Sequence, residues 1–246
     1  MWLDPYFTQD GLQDLVATIL TFAIALAWLR LLDALAARGV IEQRLSRKLI
    51  HIGTGPLFVL CWNLYSSAIW ARFLAALVPL AITGQFLLVG LGIVKDPAAV
   101  QAMSRSGDRR EILKGPLFYG LIFVACTIAF WRHSPIGILA LMIMCGGDGL
   151  ADIIGRRYGK RPIAAGSWKT WAGSSAMFLG GFVFGFGFLW LFNAFGNFQP
   201  AMPLGKTALS CAIISLMAAV VEALPFEDVD NITTTVTAVL LGLVLF

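Results

Sequence analysis

The sequence predicts an all-α protein: a polytopic bundle of transmembrane helices with about eight spans, seven being the alternative count, and with its N-terminus outside. Three observations support this prediction. The chain of 246 residues is 59% hydrophobic and only 13% charged, about half the charged fraction of a typical soluble domain. Its apolar residues form continuous runs long enough to cross a bilayer. Its basic residues are concentrated in alternate connections between those runs.

Eight apolar runs are predicted as spans, because about 17 to 25 apolar residues cross the hydrocarbon core of a membrane. The runs are continuous rather than alternating, which argues against the strands of a membrane barrel. In chain order they are residues 12–32, 49–65, 73–94, 115–131, 134–155, 170–192, 207–224 and 231–246. Together they predict one integral membrane domain over residues 1–246.

The basic residues predict the orientation of the chain. When Arg30, near the end of the first run, is counted with the first connection, fifteen of the 18 Lys and Arg residues fall in the first, third and fifth connections, and three fall in the others. Because Lys and Arg concentrate on the cytoplasmic side, the odd-numbered connections are predicted to be cytoplasmic. The formal charge of +4 lies beside apolar runs and forms no basic stripe, so nucleic-acid binding is excluded. The first residues carry neither signal-peptide nor transit-peptide features, which favours a bacterial plasma or thylakoid membrane with a cytoplasmic active face.

Small and sulfur-containing residues are predicted to serve packing. No Cys-x-x-Cys pair is present, so the four cysteines are expected to be buried free thiols. Glycines recur about four residues apart in the sixth span, which allows helix backbones to approach closely. These glycines are Gly180, Gly181, Gly185 and Gly187.

Carboxylates in or beside the predicted spans are candidate functional residues, because ionisable groups in hydrocarbon are costly. Asp148 and Asp152 are four residues apart, which places both on one face of a helix. Glu222 and Asp230 border the seventh connection, on the same predicted side of the membrane. The alternatives are a structural pair or an ion pathway.

A histidine with two cations opens the second predicted span on that same side. Arg47 and Lys48 precede His51, and Asn231 begins the last span next to the acids. His51 alone is more typical of an ordinary interfacial histidine. The convergence of all these groups at one membrane face predicts a functional site there.

The connection between the fifth and sixth spans is basic and glycine-rich, which suits polyphosphate. It is not a P-loop, because the spacing from Gly155 to Lys160 is one residue short and Arg161 replaces the Ser or Thr. A simple topology signal that attracts anionic lipid is the alternative. Carboxylates beside a phosphate site indicate Mg²⁺, which prefers carboxylates plus substrate phosphates. The candidate phosphate ligands of this connection are Gly155, Arg156, Gly159, Lys160, Lys169, Thr170, Gly173 and Ser174.

Three motifs occur in one order along the chain. The first is Arg47-Lys48-x-x-His51-x-x-x-Gly55. The second is Asp148-x-x-Ala151-x-x-x-Gly155-x-x-x-Gly159, followed by Lys169-Thr170-x-x-Gly173-Ser174. The third is Glu222-Ala-Leu-Pro225 with Asp230-Asn231. They resemble the motifs of the CTP-dependent polyprenol kinase family, which includes the dolichol kinases and the phytol and farnesol kinases. Ala172 stands where the dolichol kinase branch has an acidic residue. The chain is therefore more similar to the phytol and farnesol kinase branch.

The resemblance implies a membrane-embedded kinase that transfers the γ-phosphate of CTP to phytol, or to a similar prenyl alcohol such as farnesol or geranylgeraniol, in isoprenoid salvage towards tocopherol. It implies Mg²⁺ at Asp148 and Asp152, with Glu222 or Asp230 as additional ligands. His51 or one of the acids would orient or deprotonate the alcohol, and Lys169 would act in catalysis. The oligomeric state is left open. Nucleotide and phosphate contacts would come from Arg47, Lys48, Gly155, Arg156, Gly159, Lys160, Thr170, Gly173, Ser174 and Asn231.

Two other functions are alternatives. A CTP-dependent cytidylyltransferase acting on phosphatidate shares the Gly-Asp and Lys-Thr elements, but it predicts a further Gly-rich, Asp-Arg-type signature that residues 231–246 lack. A non-enzymatic transporter of an ion or anion would use a broken fifth helix and intramembrane acids. It would normally show inverted repeats, and the sequence shows none.

Overall fold

Ten α-helices make up most of the part of the chain that the computed structural model describes, residues 5–104, 106–164, 167–224 and 229–246. Within those ranges the only β-pairing is an isolated bridge between Pro162 and Thr170. The predicted all-α fold is therefore confirmed. The helices are α1 (Pro5–Ala37), α2 (Gln43–Cys61), α3 (Ala71–Leu91), α4 (Pro97–Met103), α5 (Gly115–Ala129), α6 (Pro135–Met142), α7 (Gly149–Tyr158), α8 (Trp171–Ala194), α9 (Leu204–Glu222) and α10 (Asp230–Leu245).

A helix lies at each of the eight predicted spans, and six helical segments of the described chain are long and apolar enough to cross a membrane. The helices at the other two predicted spans, α2 and α10, do not meet this criterion, each for its own reason. α2 begins with three cations, Arg44, Arg47 and Lys48, which lower the hydropathy of its first turns. α10 has 16 residues, fewer than a typical span needs. The orientation of the bundle in a membrane stays a prediction.

The fifth span forms the centre of the bundle. It consists of α6, a π-helical turn at Ile143–Asp148, and α7. Residues 138–145 are fully buried, and the π-helical turn packs against α2, α8, α9 and α10. The turn contains Gly146 and Gly147, a pair of residues that allows a helix to bend. A π-helical turn holds more residues per turn than an α-helix and is frequent at functional sites. Here it ends at Asp148.

Glycines of α8 allow the close approach that their spacing predicts. An added Cβ at Gly180 would lie 2.7 Å from the carbonyl oxygen of Gly146 in the π-helical turn. An added Cβ at Gly181 would lie 3.3 Å from Oγ of Ser215 on α9, and one at Gly185 would overlap Leu139. The packing prediction is confirmed for these three glycines. It is wrong for Gly187, where an added Cβ would meet open space.

We expect Gly180→Ala to lower the free energy of unfolding by about 1–3 kcal/mol. The added methyl group would meet a backbone oxygen, and no side-chain rotation relieves such a clash. Gly187→Ala is the matched control on the same helix, because both substitutions gain the same helix propensity, about 1 kcal/mol. Thermal unfolding of the detergent-solubilised variants measures the difference. Equal melting temperatures would contradict this account of the α8 packing.

A cluster of buried polar residues lies at the opposite end of the bundle from the basic connections. Arg132 is buried and donates hydrogen bonds to the carbonyl oxygens of Trp62, Tyr65 and Ser66, at 3.1, 2.6 and 3.0 Å. Buried Asp14 accepts hydrogen bonds from the amide and hydroxyl of Ser66, at 2.7 and 2.9 Å. These bonds join α1 to the α2–α3 and α5–α6 connections. The cluster is satisfied by protein groups, so we assign it a structural role.

The cysteine prediction is confirmed. All four cysteines are free and buried. They lie on four different segments, at Cys61, Cys126, Cys145 and Cys211, which is the distribution expected of small packing residues.

Candidate active site at the junction of two cavities

The acids and cations of the three motifs meet at one end of the bundle, as the sequence predicts. Five helical elements supply them together with the α7–α8 connection, which contributes Lys169: α2, the π-helical turn, α7, α9 and α10. They surround a polar cleft of about 510 Å³. The cleft is lined by Lys48, Asp148, Ala151, Asp152, Gly155, Arg156, Trp168, Lys169, Thr170, Gly173, Ser174, Glu222 and Asp230.

Asp148 connects α2 to the cleft and is buried, with 8% of its surface exposed. Its Oδ2 atom lies 3.3 Å from Nζ of Lys48 and 3.1 Å from Nε2 of His51. A buried carboxylate needs such partners, because an uncompensated charge in a low dielectric is costly. The first and second motifs of the sequence therefore meet through one carboxylate.

His51 acts as a hydrogen-bond donor in this arrangement. Its Nε2 atom lies 3.1 Å from the carbonyl oxygen of Met144 as well as 3.1 Å from the carboxylate of Asp148. Both of these oxygens are acceptors, so Nε2 carries the proton. The hydroxyl of Tyr119 donates to the carbonyl oxygen of His51 at 2.7 Å. The contacts of Nε2 hold the ring against Asp148 and the π-helical turn, and the bond from Tyr119 holds the backbone at His51.

Lys169 and Glu222 form a second ion pair in the same cleft. Lys169 comes from the basic connection before α8, and Glu222 is the last residue of α9, so the pair ties the connection to the bundle. A third pair joins Arg156 Nε to Asp152 Oδ1 at 2.6 Å, one helical turn apart on α7. Glu222 is thus engaged by a cation of the predicted phosphate site.

The glycines of the second motif bring α7 and α8 together. An added Cβ at Gly155 would lie 3.2 Å from Cα of Gly173, and one at Gly159 would overlap Thr170. Thr170 caps α8 by accepting a hydrogen bond from the amide of Gly173 at 3.2 Å. This crossing seats the N-terminus of α8 at the cleft, where the helix dipole favours an anion.

Two of the residues predicted to bind phosphate in the basic connection lie away from the cleft. Gly159 lies at the α7–α8 crossing and lines neither of the two cavities described here. Lys160 is exposed and lines neither cavity. Of the basic connection, the cleft is reached by Arg156, Trp168, Lys169 and Thr170.

An apolar cavity of about 250 Å³ adjoins the cleft. α1, α2, α3 and α5 supply its apolar wall, with residues such as Leu29, Phe58, Phe86 and Phe123. Five polar residues line both this cavity and the cleft, so the two spaces share one wall. The shared residues are Lys48, Asp148, Asp152, Arg156 and Asp230.

Sequence reasoning missed the apolar cavity and the residues around its polar mouth. Glu111, Lys114 and Tyr119 line it, and only Tyr119 had a readable signal, as a polar group within an apolar run. Arg47 also lines this cavity and donates to the carbonyl oxygen of Ser104 at 2.9 Å. Asn231 likewise lines the apolar cavity and is absent from the lining of the cleft.

The carboxylates of the cleft suit Mg²⁺. Asp148, Asp152 and Asp230 line it together, and carboxylate oxygens are the protein ligands that this ion takes alongside substrate phosphates. In residues 5–104, 106–164, 167–224 and 229–246, no three His, Cys, Asp or Glu side chains are close enough to hold a metal ion by themselves. The donor set therefore fits a metal that arrives with a phosphorylated ligand.

Together these features define a class of protein: a helical bundle suited to a membrane, in which a polar cleft lined by both cations and acids meets an apolar cavity. Comparison with known proteins gives the family. The chain is 43% identical over 231 residues to a probable phytol kinase 3, chloroplastic, of Glycine max, covering 93% of this chain and 72% of that protein.

Two proteins of Arabidopsis thaliana show the same similarity. One is phytol kinase 1, chloroplastic, at 40% identity over 95% of this chain and 77% of the relative. The other is farnesol kinase, chloroplastic, at 40% identity over 96% of this chain and 76% of the relative. The chain belongs to the phytol and farnesol kinase family. No protein-family model and no solved structure matches it.

The prediction of a bacterial membrane is wrong. The relatives are chloroplastic proteins of plants, and the spanning helices support an integral membrane protein without supporting a bacterial origin. The prediction depended on the composition of the first residues. The chain covers about three quarters of the length of these relatives.

Proposed function

We propose that this protein is a membrane-embedded prenol kinase that transfers the γ-phosphate of CTP to phytol, or to a similar prenyl alcohol such as farnesol or geranylgeraniol. The observation that carries the proposal is the shared wall of five polar residues between the apolar cavity and the polar cleft. The names of the relatives support a prenyl alcohol as the acceptor. The resemblance of the three motifs supports CTP as the donor.

The isoprenoid tail of the alcohol would occupy the apolar cavity. Its walls come from helices that suit a membrane, so a tail drawn from hydrocarbon would enter a surrounding of the same polarity. The hydroxyl would then lie at the polar end of the cavity, beside Asp148 and Lys48. This placement delivers the acceptor oxygen to the wall shared with the cleft.

The triphosphate would occupy the polar cleft. Lys169, Arg156 and Lys48 supply positive charge there, and the N-terminus of α8 with Ser174 supplies hydrogen-bond donors. Phosphoryl transfer depends mainly on such positioning and charge neutralisation. Glu222 holds Lys169 in the cleft through their ion pair, so we assign Glu222 to positioning and not to the metal.

Asp148 would orient the alcohol and accept its proton. His51 already donates its Nε2 proton to this carboxylate and to the carbonyl oxygen of Met144, so His51 positions Asp148 and does not act as the base at Nε2. The alcohol oxygen forms a bond to the γ-phosphorus while the bond from phosphorus to the β,γ-bridging oxygen breaks. The proton passes to Asp148, and prenyl phosphate and CDP leave.

Asp152 and Asp230 line the shared wall and are the residues that would hold Mg²⁺. The bound ion would neutralise phosphate charge. Asp148 keeps Lys48 and His51 as partners, and it is therefore assigned to the alcohol.

Purified protein incubated with Mg²⁺, phytol and one of CTP, ATP, GTP or UTP tests the proposal. We expect phytyl phosphate and CDP, with CTP preferred, detected by mass spectrometry. Release of pyrophosphate with formation of a CDP-lipid from phosphatidate would instead show a cytidylyltransferase. Folded protein that turns over no phytol, farnesol or geranylgeraniol would contradict the proposal and favour the transporter.

Gly120→Val should shift the preference from phytol towards the shorter farnesol. An added Cβ at Gly120 would overlap the hydroxyl of Thr83, and both residues line the apolar cavity, so the substitution narrows it. We expect the ratio of kcat/KM for phytol to that for farnesol to fall about tenfold, the usual scale for one or two methylene groups. Competition between the two alcohols, read by mass spectrometry, measures this ratio.

The matched control for the cavity substitution is Gly84→Val on α3. Gly84 has open space around an added Cβ and lies outside the cavity lining. Gly84→Val should leave the ratio of kcat/KM for phytol to that for farnesol unchanged. An unchanged ratio in Gly120→Val would show that the tail binds elsewhere.

A further inference from the structure

Asn231 occupies an unusual place for a residue of a nucleotide motif. It lines the apolar cavity and not the polar cleft, although its neighbour Asp230 lines both. It is 8% exposed. Its side-chain Oδ1 atom is buried with no hydrogen-bond partner in the part of the chain that the structure describes.

The backbone of Asn231 is already engaged, which fixes where the side chain starts. Its amide donates to Oδ1 of Asp230 at 3.1 Å, and its carbonyl oxygen accepts from the hydroxyl of Thr235 at 2.7 Å. A buried amide oxygen left unpaired, such as Oδ1 of Asn231, is destabilising. Such a group next to a cavity is therefore expected to pair with a polar atom of the molecule that fills the cavity.

We propose that the carboxamide of Asn231 binds the hydroxyl of the prenyl alcohol and holds it beside Asp148, and that it does not contact the nucleotide. This inference rests on the proposed function. The one proton of the hydroxyl is directed to Asp148, so the amide donates to the hydroxyl oxygen. A half-turn of the carboxamide exchanges its oxygen for its NH2 group and so presents that donor. The tail of a prenyl alcohol carries no other polar atom, so a single amide is sufficient to set the position of the hydroxyl.

Steady-state kinetics of Asn231→Leu, a substitution of similar size, tests the inference. We expect kcat/KM for phytol to fall about 10- to 100-fold, the scale of one lost hydrogen bond in a buried site, while KM for CTP stays unchanged. A higher KM for CTP with unchanged kinetics for phytol would overturn the inference in favour of a nucleotide contact. Asn231→Ala is the second variant, should the leucine impair folding.

Thr237→Val is the matched control. Thr237 lies on the same helix, donates its hydroxyl to the carbonyl oxygen of Thr233 and lies outside the lining of both cavities, so both kinetic constants should stay unchanged. A fall in kcat/KM for phytol in this variant equal to that in Asn231→Leu would overturn the inference, since any disturbance of α10 would then have the same effect.

Binding of radiolabelled phytol without nucleotide separates this inference from the proposed function. We expect the unmodified protein to bind phytol more tightly than phytene, which has the same tail without the hydroxyl, and Asn231→Leu to lower this preference about tenfold. Equal binding of phytol and phytene by the unmodified protein, or an unchanged preference in Asn231→Leu, would overturn the inference even if the kinase is active. A preference that Asn231→Leu lowers about tenfold would support it even if no phosphate is transferred.

Discussion

Asp148→Asn is expected to lower kcat for phytol phosphorylation by about 10²- to 10⁴-fold, the usual contribution of a positioned acid–base group. The substitution keeps the shape of the side chain but removes the charge that Lys48 and His51 now contact. The remaining amide cannot accept the proton of the alcohol. Initial rates of phytyl phosphate formation at saturating phytol and CTP measure the loss.

The loss must be separated from unfolding, because removing one partner of a buried ion pair can cost about 3–5 kcal/mol. Thermal unfolding of Asp148→Asn is therefore measured alongside its kinetics. Asp108→Asn serves as the matched control: Asp108 is exposed in the α4–α5 connection and caps a short 3-10 turn by accepting from the amide of Arg110, a role that Asn retains. A folded Asp148→Asn protein with nearly unchanged kcat would exclude Asp148 as the base.

Lys169→Met is expected to lower kcat/KM for CTP about 100-fold, the scale of one lost charge-assisted hydrogen bond to phosphate. Lys169 lines the polar cleft and is held there by Glu222. Methionine keeps the length of the side chain and removes its charge. The kinetic constants are measured with CTP varied at saturating phytol.

The basic connection provides a matched control for this substitution. Lys160→Met removes the same charge from the same connection, but Lys160 is exposed and lines neither cavity. We expect less than a twofold effect, since exposed charges contribute little when screened by salt. Equal losses in both variants would show that the connection acts through its overall charge and not through one placed lysine.

Most of the helical fold could be predicted because hydropathy and length are local properties. Each of the eight predicted runs contains a helix of the bundle. The π-helical turn at Ile143–Asp148 could not be predicted, because its extra residue depends on packing against α8 and α9. The open surroundings of Gly187 likewise depend on which helix lies opposite, which a spacing of four residues does not report.

The charged half of the site could be predicted because acids are rare in apolar helices and stand out when they occur. Asp148, Asp152, Glu222 and Asp230 all line one cleft. The apolar half of the site could not be predicted, because the sequence does not tell whether a phenylalanine such as Phe123 faces lipid, another helix or a cavity. The placement of Asn231 in the apolar cavity was hidden for a related reason: a motif groups residues along the chain and does not tell which cavity each one faces.

The apolar cavity has a consequence for how the rate depends on substrate supply. Its walls belong to helices that suit a bilayer, and phytol partitions into that bilayer. For the proposed reaction, the relevant concentration of the alcohol is therefore its mole fraction in the membrane, whereas that of CTP is its molarity in water. At a fixed amount of phytol, adding inert detergent or lipid should slow the reaction by surface dilution, although the number of substrate molecules per enzyme stays the same. The reaction rate would then depend on one substrate through its mole fraction in the membrane and on the other through its concentration in water.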